Sequence, residues 1–472
     1  MTNSQITAIE ALSANILESS FESLDEATVK HAKLRIIDVL GCAIGGANGP
    51  GNRALVDLAR DWGGKQEATI VTCGGRVPVA HAAMVNSILA RSYDFEVMSP
   101  LINGKSVPSH IAGTTTMTAL AMGESKSVNG KELITGLVVG DDLASRVLAG
   151  SGPGFTLGWD SVGMVNMFGA TAIAGRFLGL TKTQLRNAFG LALNQMCGTF
   201  QSIWDGTTAF KLHQGTSARD GIFSAQLAQR GWTGAGDALL SKFGYFNLYT
   251  DGCINPDILT KDLGKVYYAD STFKAYPCCR ATHAALDCTL RIVNSYDIRA
   301  EDVIEVCLHV PAGHLDNFIG QPFRIGEFPQ GNAAFSYRYT VASAIVRRSV
   351  MPEHFHEESV RDPRVNGLIG KISLAGLPGA QKLMSRVRIR TKDGREFSEF
   401  TDAPTGDPVG NPMSEEEIVE KFLKNVGFSG MINKENGDRL LVLLAKLEEM
   451  EDVNQITELY AMQTEGKEKI DE

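Results

Sequence analysis

At 472 residues the chain is too long for one ordinary hydrophobic core, so two domains are expected. A hydrophobic content of 43% excludes a disordered chain, and a net charge of −9 without a long basic run excludes nucleic acid as the main partner. No apolar run reaches membrane-spanning length. Met1 to Glu10 lacks the basic and then apolar regions of a secretory signal, so a cytoplasmic protein without a membrane partner is expected.

In chain order, Val29, Ala32, Ile36, Ile37 and Leu40 mark the apolar face of a first helix, capped by Ser23 or Asp25 and stopped by the glycines between Gly41 and Gly46. Helical pattern returns at 79–89, 112–122 and 131–148. It continues in two segments rich in small residues, 167–178 and 185–196, and again at 217–229, ended by Gly231. Almost nothing before residue 260 alternates with strand period, so the first half reads as all-α. The pattern then changes: Val303 to Val310 is short and β-rich, and Ser385 to Phe400 reads as a hairpin turning at Asp393-Gly394. Helical segments lie between them near 333–347 and 357–366. From Glu415 the chain is helical again, with Ile418, Phe422 and Val426 on one face. The expected fold is mainly α: a large all-α domain from residues 1–267 and 406–472, with an inserted smaller α+β lid domain at 268–405.

The eight cysteines are dispersed, with no C-x-x-C pair, and adjacent Cys278 and Cys279 cannot readily share one tetrahedral metal. Structural thiols and no metal are expected. Phosphate-binding glycine motifs are missing as well.

Four stretches gather ionisable residues at loop–helix corners, a common place for chemistry. From Phe273 to Asp287 an extended approach with Lys274 meets Tyr276-Pro277, where Pro277 keeps Tyr276 out of helix, and a helix follows. Lys274, Arg280 and His283 would crowd that corner, where a helix N-terminus favours a carboxylate. The loop Tyr93 to His110 holds Asp94, Glu96, Lys105 and His110. Asp160 follows Gly158-Trp159, where an N-cap is its simplest role. Lys211 and His213 are expected just before the helix at Ser217. For each stretch the plainer alternative is a cap, a solvated cation or a hydrogen-bonded core histidine.

Together and in this order, Asp94-Phe95-Glu96, Gly158-Trp159, Lys211-Leu212-His213, Phe273-Lys274-Ala275-Tyr276-Pro277-Cys278-Cys279-Arg280-Ala281-Thr282-His283 and Ala334-Phe335-Ser336 resemble the MmgE/PrpD-like superfamily over nearly the whole chain. The resemblance implies a homodimer, no cofactor, and an active site between a helical domain and a lid. Four positions depart from the family pattern. Val97 replaces a second acid, Asp160 a histidine, Phe210 a lysine, and Phe318 a tyrosine that serves the decarboxylases. The resemblance also implies proton removal next to a carboxylate, with Asp94, His110, Lys274 and His283 as catalytic candidates. Lys211, His213, Arg280, Lys105 and Asp160 are the candidates for binding a di- or tricarboxylate. Dehydration of a hydroxy-polycarboxylate, in the manner of 2-methylcitrate dehydratase, is the leading expectation. Epimerisation, decarboxylation and non-catalytic carboxylate binding are the alternatives.

Overall fold

A computed structural model describes residues 7–152, 158–380 and 383–461. The first six residues of the Met1–Glu10 stretch, and the chain beyond residue 461, lie outside it. Helices dominate, and a smaller α+β part carries the main sheet. One apolar core draws on side chains from Ile9 to Phe273 and again from Ile418 to Tyr460. A second draws chiefly on Cys278 to Ile389. Ile203 and Phe210 belong to this second core, because the short helices Gln201–Trp204 and Thr208–Lys211 lean on the α+β part. Among the described residues, no helix is long and apolar enough to cross a membrane.

The first long helix, Glu26–Gly46, starts at Asp25, whose carboxylate accepts from Thr28 N at 2.8 Å. It does not stop at Gly41. A Cβ on Gly41 would lie 2.9 Å from Phe422 Cδ2, and one on Gly45 3.0 Å from Asn425 Oδ1. The glycines are there for close approach: they let the tail helix Glu415–Ser429 lie directly against this one.

The mainly α fold is as expected, and the helical first half also carries small strands. Met98–Ile102 pairs antiparallel with Lys105–Ser106 on one side and with Asp270–Thr272 on the other, and Ala68–Thr69 pairs with Arg76–Val77. Met-Ser-Pro-Leu-Ile has no alternation and contains a proline. The incoming Asp270–Thr272 segment, not local propensity, makes it a strand. That segment also caps a helix: Ile111 N and Ala112 N both donate to Asp270 Oδ2 at 2.8 Å, at the start of Ala112–Lys126. Asp270→Ala is expected to lower unfolding free energy by about 2 kcal/mol, and Asp270→Asn by less, measured by urea denaturation.

In the α+β part the sheet order is Ile372–Gly376, Val303–Val310, Ser385–Thr391, Glu396–Thr401; the first pair is parallel and the others antiparallel. Ser385–Thr391 alternates buried and exposed, and its hairpin turns at Gly394, at φ +85°. Helices His283–Ser295 and Tyr337–Arg347 pack on the sheet. The expected helix near 357–366 is two pieces, because Pro363 starts a new one. The two parts meet where the helix Val79–Arg91 ends: Gln330 Nε2 donates to Ser92 O at 2.8 Å, and Tyr93 OH lies 3.4 Å from His356 Nε2.

Candidate active site

Val79–Arg91 is buried almost throughout, and its last residue is an arginine. The chain then turns back sharply: Asp94 N donates to Arg91 O at 3.0 Å, and Asp94 adopts φ +48°. Aspartate is among the few residue types that adopt the left-handed region readily, which lets the chain reverse here. Three neighbours hold the turn. Lys274 Nζ donates to Asp94 O at 2.7 Å, Lys421 Nζ to Phe95 O at 2.6 Å, and Val97 N to Asp38 Oδ2 at 2.7 Å. Lys421 and Asp38 are themselves an ion pair, at 2.7 Å.

This scaffold gathers five ionisable side chains. Arg91 Nη1 bonds Asp94 Oδ1, stands 3.1 Å from Glu96 Oε1, and stands 3.0 Å from His110 Nδ1. Lys274 Nζ lies 2.9 Å from Asp94 Oδ1. His110 Nδ1 lies 2.9 Å from Glu96 Oε1, and its Nε2 is 3.7 Å from Asp94 Oδ1. Arg91, Asp94, Glu96 and Lys274 are 4%, 2%, 0% and 0% exposed; His110, at 14%, is the member that solvent reaches. Asp94, Glu96 and His110 each present a ligand atom within 4.8 Å of the others, the spacing of a cation site. The Arg91 guanidinium already stands among them, so the chain supplies that cation itself.

Burial alone would raise the Asp94 carboxyl, but Arg91 and Lys274 bring it below its ordinary value. Glu96 is likewise lowered, burial being outweighed by Arg91 and then His110. Both are carboxylates at neutral pH. His110 is lowered by burial and by Arg91, against the opposing pull of Glu96, so its ring is neutral. A carboxylate accepts only. With Nδ1–H aimed at Glu96, the approach of Arg91, which only donates, is an electrostatic contact and not a hydrogen bond, and Nε2 carries the lone pair.

The other candidates are placed elsewhere. Arg280 Nη1 donates to Thr405 O at 2.5 Å, and Nη2 to Pro404 O at 3.1 Å. His283, fully buried and held well below its ordinary pKa by burial and by Arg280, sits 3.1 Å from Arg280 Nη1 and 3.3 Å from Cys278 O. This pair fastens the turn that follows the strand Glu396–Thr401, and no hydrogen bond or ion pair among the described residues ties it to Asp94, Glu96 or His110. Lys211 points inward, donating to Pro50 O and Asn52 Oδ1 at 2.7 Å each. Burial draws its ammonium down to about 7. His213 is inside a helix that begins at Leu212, not Ser217, and its Nε2 accepts from Thr199 N at 3.3 Å. Lys105 is exposed on its strand. Asp160 caps a single turn through Val162 N, at 3.1 Å, and adds negative field at Arg91. His110 caps nothing; Asp270 does that work.

Sequence reasoning missed Arg91 and passed over Glu96, Asp38 and Lys421. A usable signal existed. Arg91 is the one Lys, Arg, Asp or Glu of its helix, three residues before Asp94, and Asp38 and Lys421 are charges set among apolar residues of their helices.

Comparison with known proteins matches the chain to two domain models of one family. The MmgE/PrpD N-terminal domain model matches residues 10–255, and the MmgE/PrpD C-terminal domain model matches residues 276–449. A cis-aconitate decarboxylase of Homo sapiens is 24% identical over 97% of this chain and 94% of that protein. One from Aspergillus terreus is 22% identical over 91% of each.

Proposed function

Because the chain belongs to the MmgE/PrpD family, we propose that it is a lyase acting on a carboxylic acid at the carbon next to the carboxylate, with no cofactor. The observation that carries this reading is the placement of His110. Glu96 orients it, its Nε2 is the free basic atom, and it stands at the rim of a buried cluster of charges. Taking the α-proton onto Nε2 builds enolate charge on the substrate carboxylate, which Arg91 and Lys274 stabilise in a water-poor setting. In dehydration the carbon–oxygen bond then breaks, and the imidazolium hands its proton to the leaving hydroxyl, releasing water. Asp94, an anion, offers no proton; its work is to hold Lys274 and Arg91. Decarboxylation is the second reading, favoured by the relatives named cis-aconitate decarboxylase. There the bond to CO2 breaks, and the carbanion takes a proton from His110 Nε2, which this route needs already charged from solvent, so decarboxylation would run on the protonated ring and dehydration on the neutral one.

Proton NMR in heavy water with hydroxy acids and unsaturated acids tests this. Loss of an α-proton with a new vinyl signal marks dehydration, and loss of a carboxylate with deuterium at the same carbon marks decarboxylation. No exchange with any acid that binds would sink the lyase reading. A base acts in its neutral form, so the rate should fall as pH drops through the lowered pKa of His110. Glu96 supports the charged ring and raises that pKa. Glu96→Gln should therefore shift the acid limb of the pH–rate profile to lower pH and cut kcat roughly 100-fold.

A further inference from the structure

We propose that the protein has a second binding site, separate from the Asp94 cluster, which takes a small monocarboxylate with an apolar body and holds it on Arg35. The proposal stands apart from the lyase reading and does not depend on which acid is turned over.

Arg35 lies in the helix Glu26–Gly46 and is only 4% exposed, so its guanidinium needs partners. The chain supplies one. Nε donates to Asp141 Oδ2 at 3.0 Å, and the other Asp141 oxygen accepts from Thr115 Oγ1 at 2.5 Å. Among the described residues neither Nη1 nor Nη2 of Arg35 has a hydrogen-bond partner. Both nevertheless reach solvent, because Arg35 lines a cavity of about 400 Å³. With Nε spent, the two terminal nitrogens form an end-on fork, which a carboxylate fills with two parallel charge-assisted bonds. The field of this guanidinium extends to the cavity rim: after burial, it is the largest cause holding the His31 ring below its ordinary pKa, ahead of Lys30. The acid at the rim, Asp25, is already committed, accepting from Thr28 N at 2.8 Å and Thr28 Oγ1 at 3.1 Å.

The rest of the cavity sets the body of the ligand. Leu101, Val138, Tyr267, Tyr268, Phe273 and Met413 supply its walls, and no lysine or second arginine lines it. One fork satisfies one carboxylate, and the remainder meets apolar surface, whose burial is the available source of affinity. None of Arg91, Asp94, Glu96, His110 and Lys274 lines this cavity, so it is a site of its own. It does back onto the catalytic scaffold. Leu101 belongs to the strand Met98–Ile102, Ser271 to its partner Asp270–Thr272, and Phe273 directly precedes Lys274. An acid held on Arg35 therefore bears on the strands that bring Lys274 to Asp94.

Calorimetry on the intact protein would compare hexanoate and benzoate with hexanamide and benzamide. Each acid is expected to bind roughly tenfold tighter than its amide, which has the same body but offers the fork no anion. Variants locate the site. Ala27 is exposed on the cavity rim, so Ala27→Glu should weaken the acids roughly threefold and Ala27→Lys tighten them by as much, with the amides unmoved. Arg35→Lys keeps a cation for Asp141 but loses the fork, and should weaken the acids roughly tenfold. Because a change at a buried arginine can cost folding, the Ala27 pair decides the matter by itself. No binding of either acid, equal binding of acid and amide, or the absence of opposite shifts in Ala27→Glu and Ala27→Lys overturns the proposal. So does unchanged acid binding by folded Arg35→Lys. Failure of every acid to exchange a proton sinks the lyase reading and leaves this site standing.

Discussion

Lys274→Met should abolish activity and cost about 3–5 kcal/mol of stability. The ammonium is fully buried and contacts both the backbone oxygen and the carboxylate of Asp94. Without it, Asp94 keeps Arg91 but loses the partner that holds its strained turn, and the position of the carboxylate clamp is lost with it. Methionine restores most of the volume, so the loss reports charge and hydrogen bonding more than a cavity. The diagnostic comparison is the double variant Lys274→Met/Asp94→Asn. It leaves no buried carboxylate short of a cation at this position, so it should regain part of the stability lost in the single variant. It should regain none of the activity. Urea denaturation beside an exchange assay separates the two effects, and a double variant no more stable than Lys274→Met would contradict the charge-balance account.

Gly46→Ala should be about as damaging, for a steric reason. A Cβ there would stand 1.9 Å from Leu89 O and 3.2 Å from Ser92 Cβ. Leu89 O is backbone in a buried helix and accepts from Ser92 N at 3.1 Å, so it cannot swing away as the tip of a side chain would. The helices Glu26–Gly46 and Val79–Arg91 must separate, which costs about 3 kcal/mol. The displaced end is the turn carrying Arg91, and activity should fall further than thermal stability alone explains. Gly427→Ala is the control. Gly427 lies in the helix Glu415–Ser429 with nothing within 4 Å of an added Cβ, so alanine should stabilise by about 0.5–1 kcal/mol. If both variants melt alike, the close approach is not what Gly46 provides.

Much of the fold was legible because it follows period. The apolar stripes from Val29 to Leu40 and from Ile418 to Val426, the alternation of Val387, Ile389 and Thr391, and the turn at Asp393-Gly394 are local signals that packing reinforces. The errors lie where tertiary contact overrides them. Gly41 to Gly46 read as a stop because glycine is a poor helix former, yet the tail helix needs their missing side chains. Met98–Ile102 became a strand only because Asp270–Thr272 arrives beside it. The site divides in the same way. Asp94, His110 and Lys274 stood out as charges at corners, and the structure gathers them. Lys211 and Arg280 stood out for the same reason, but they bond backbone carbonyls of distant segments, which no spacing reveals, and His283 is spent on its neighbours Arg280 and Cys278.

The pair Lys421 and Asp38 has a consequence for how the molecule is made. Lys421 reaches Phe95 across 326 positions of chain, so during synthesis the loop bearing Asp94 emerges long before the residue that braces it. Until then Asp38 is an acid without its cation, in a helix whose glycine notches are still empty. The α+β part is translated in between and has time to fold as its own unit. Closing so long a loop is slow, and it comes last. A ribosome-stalled chain lacking Glu415–Ser429 should present a finished sheet beside an open, protease-sensitive helical half.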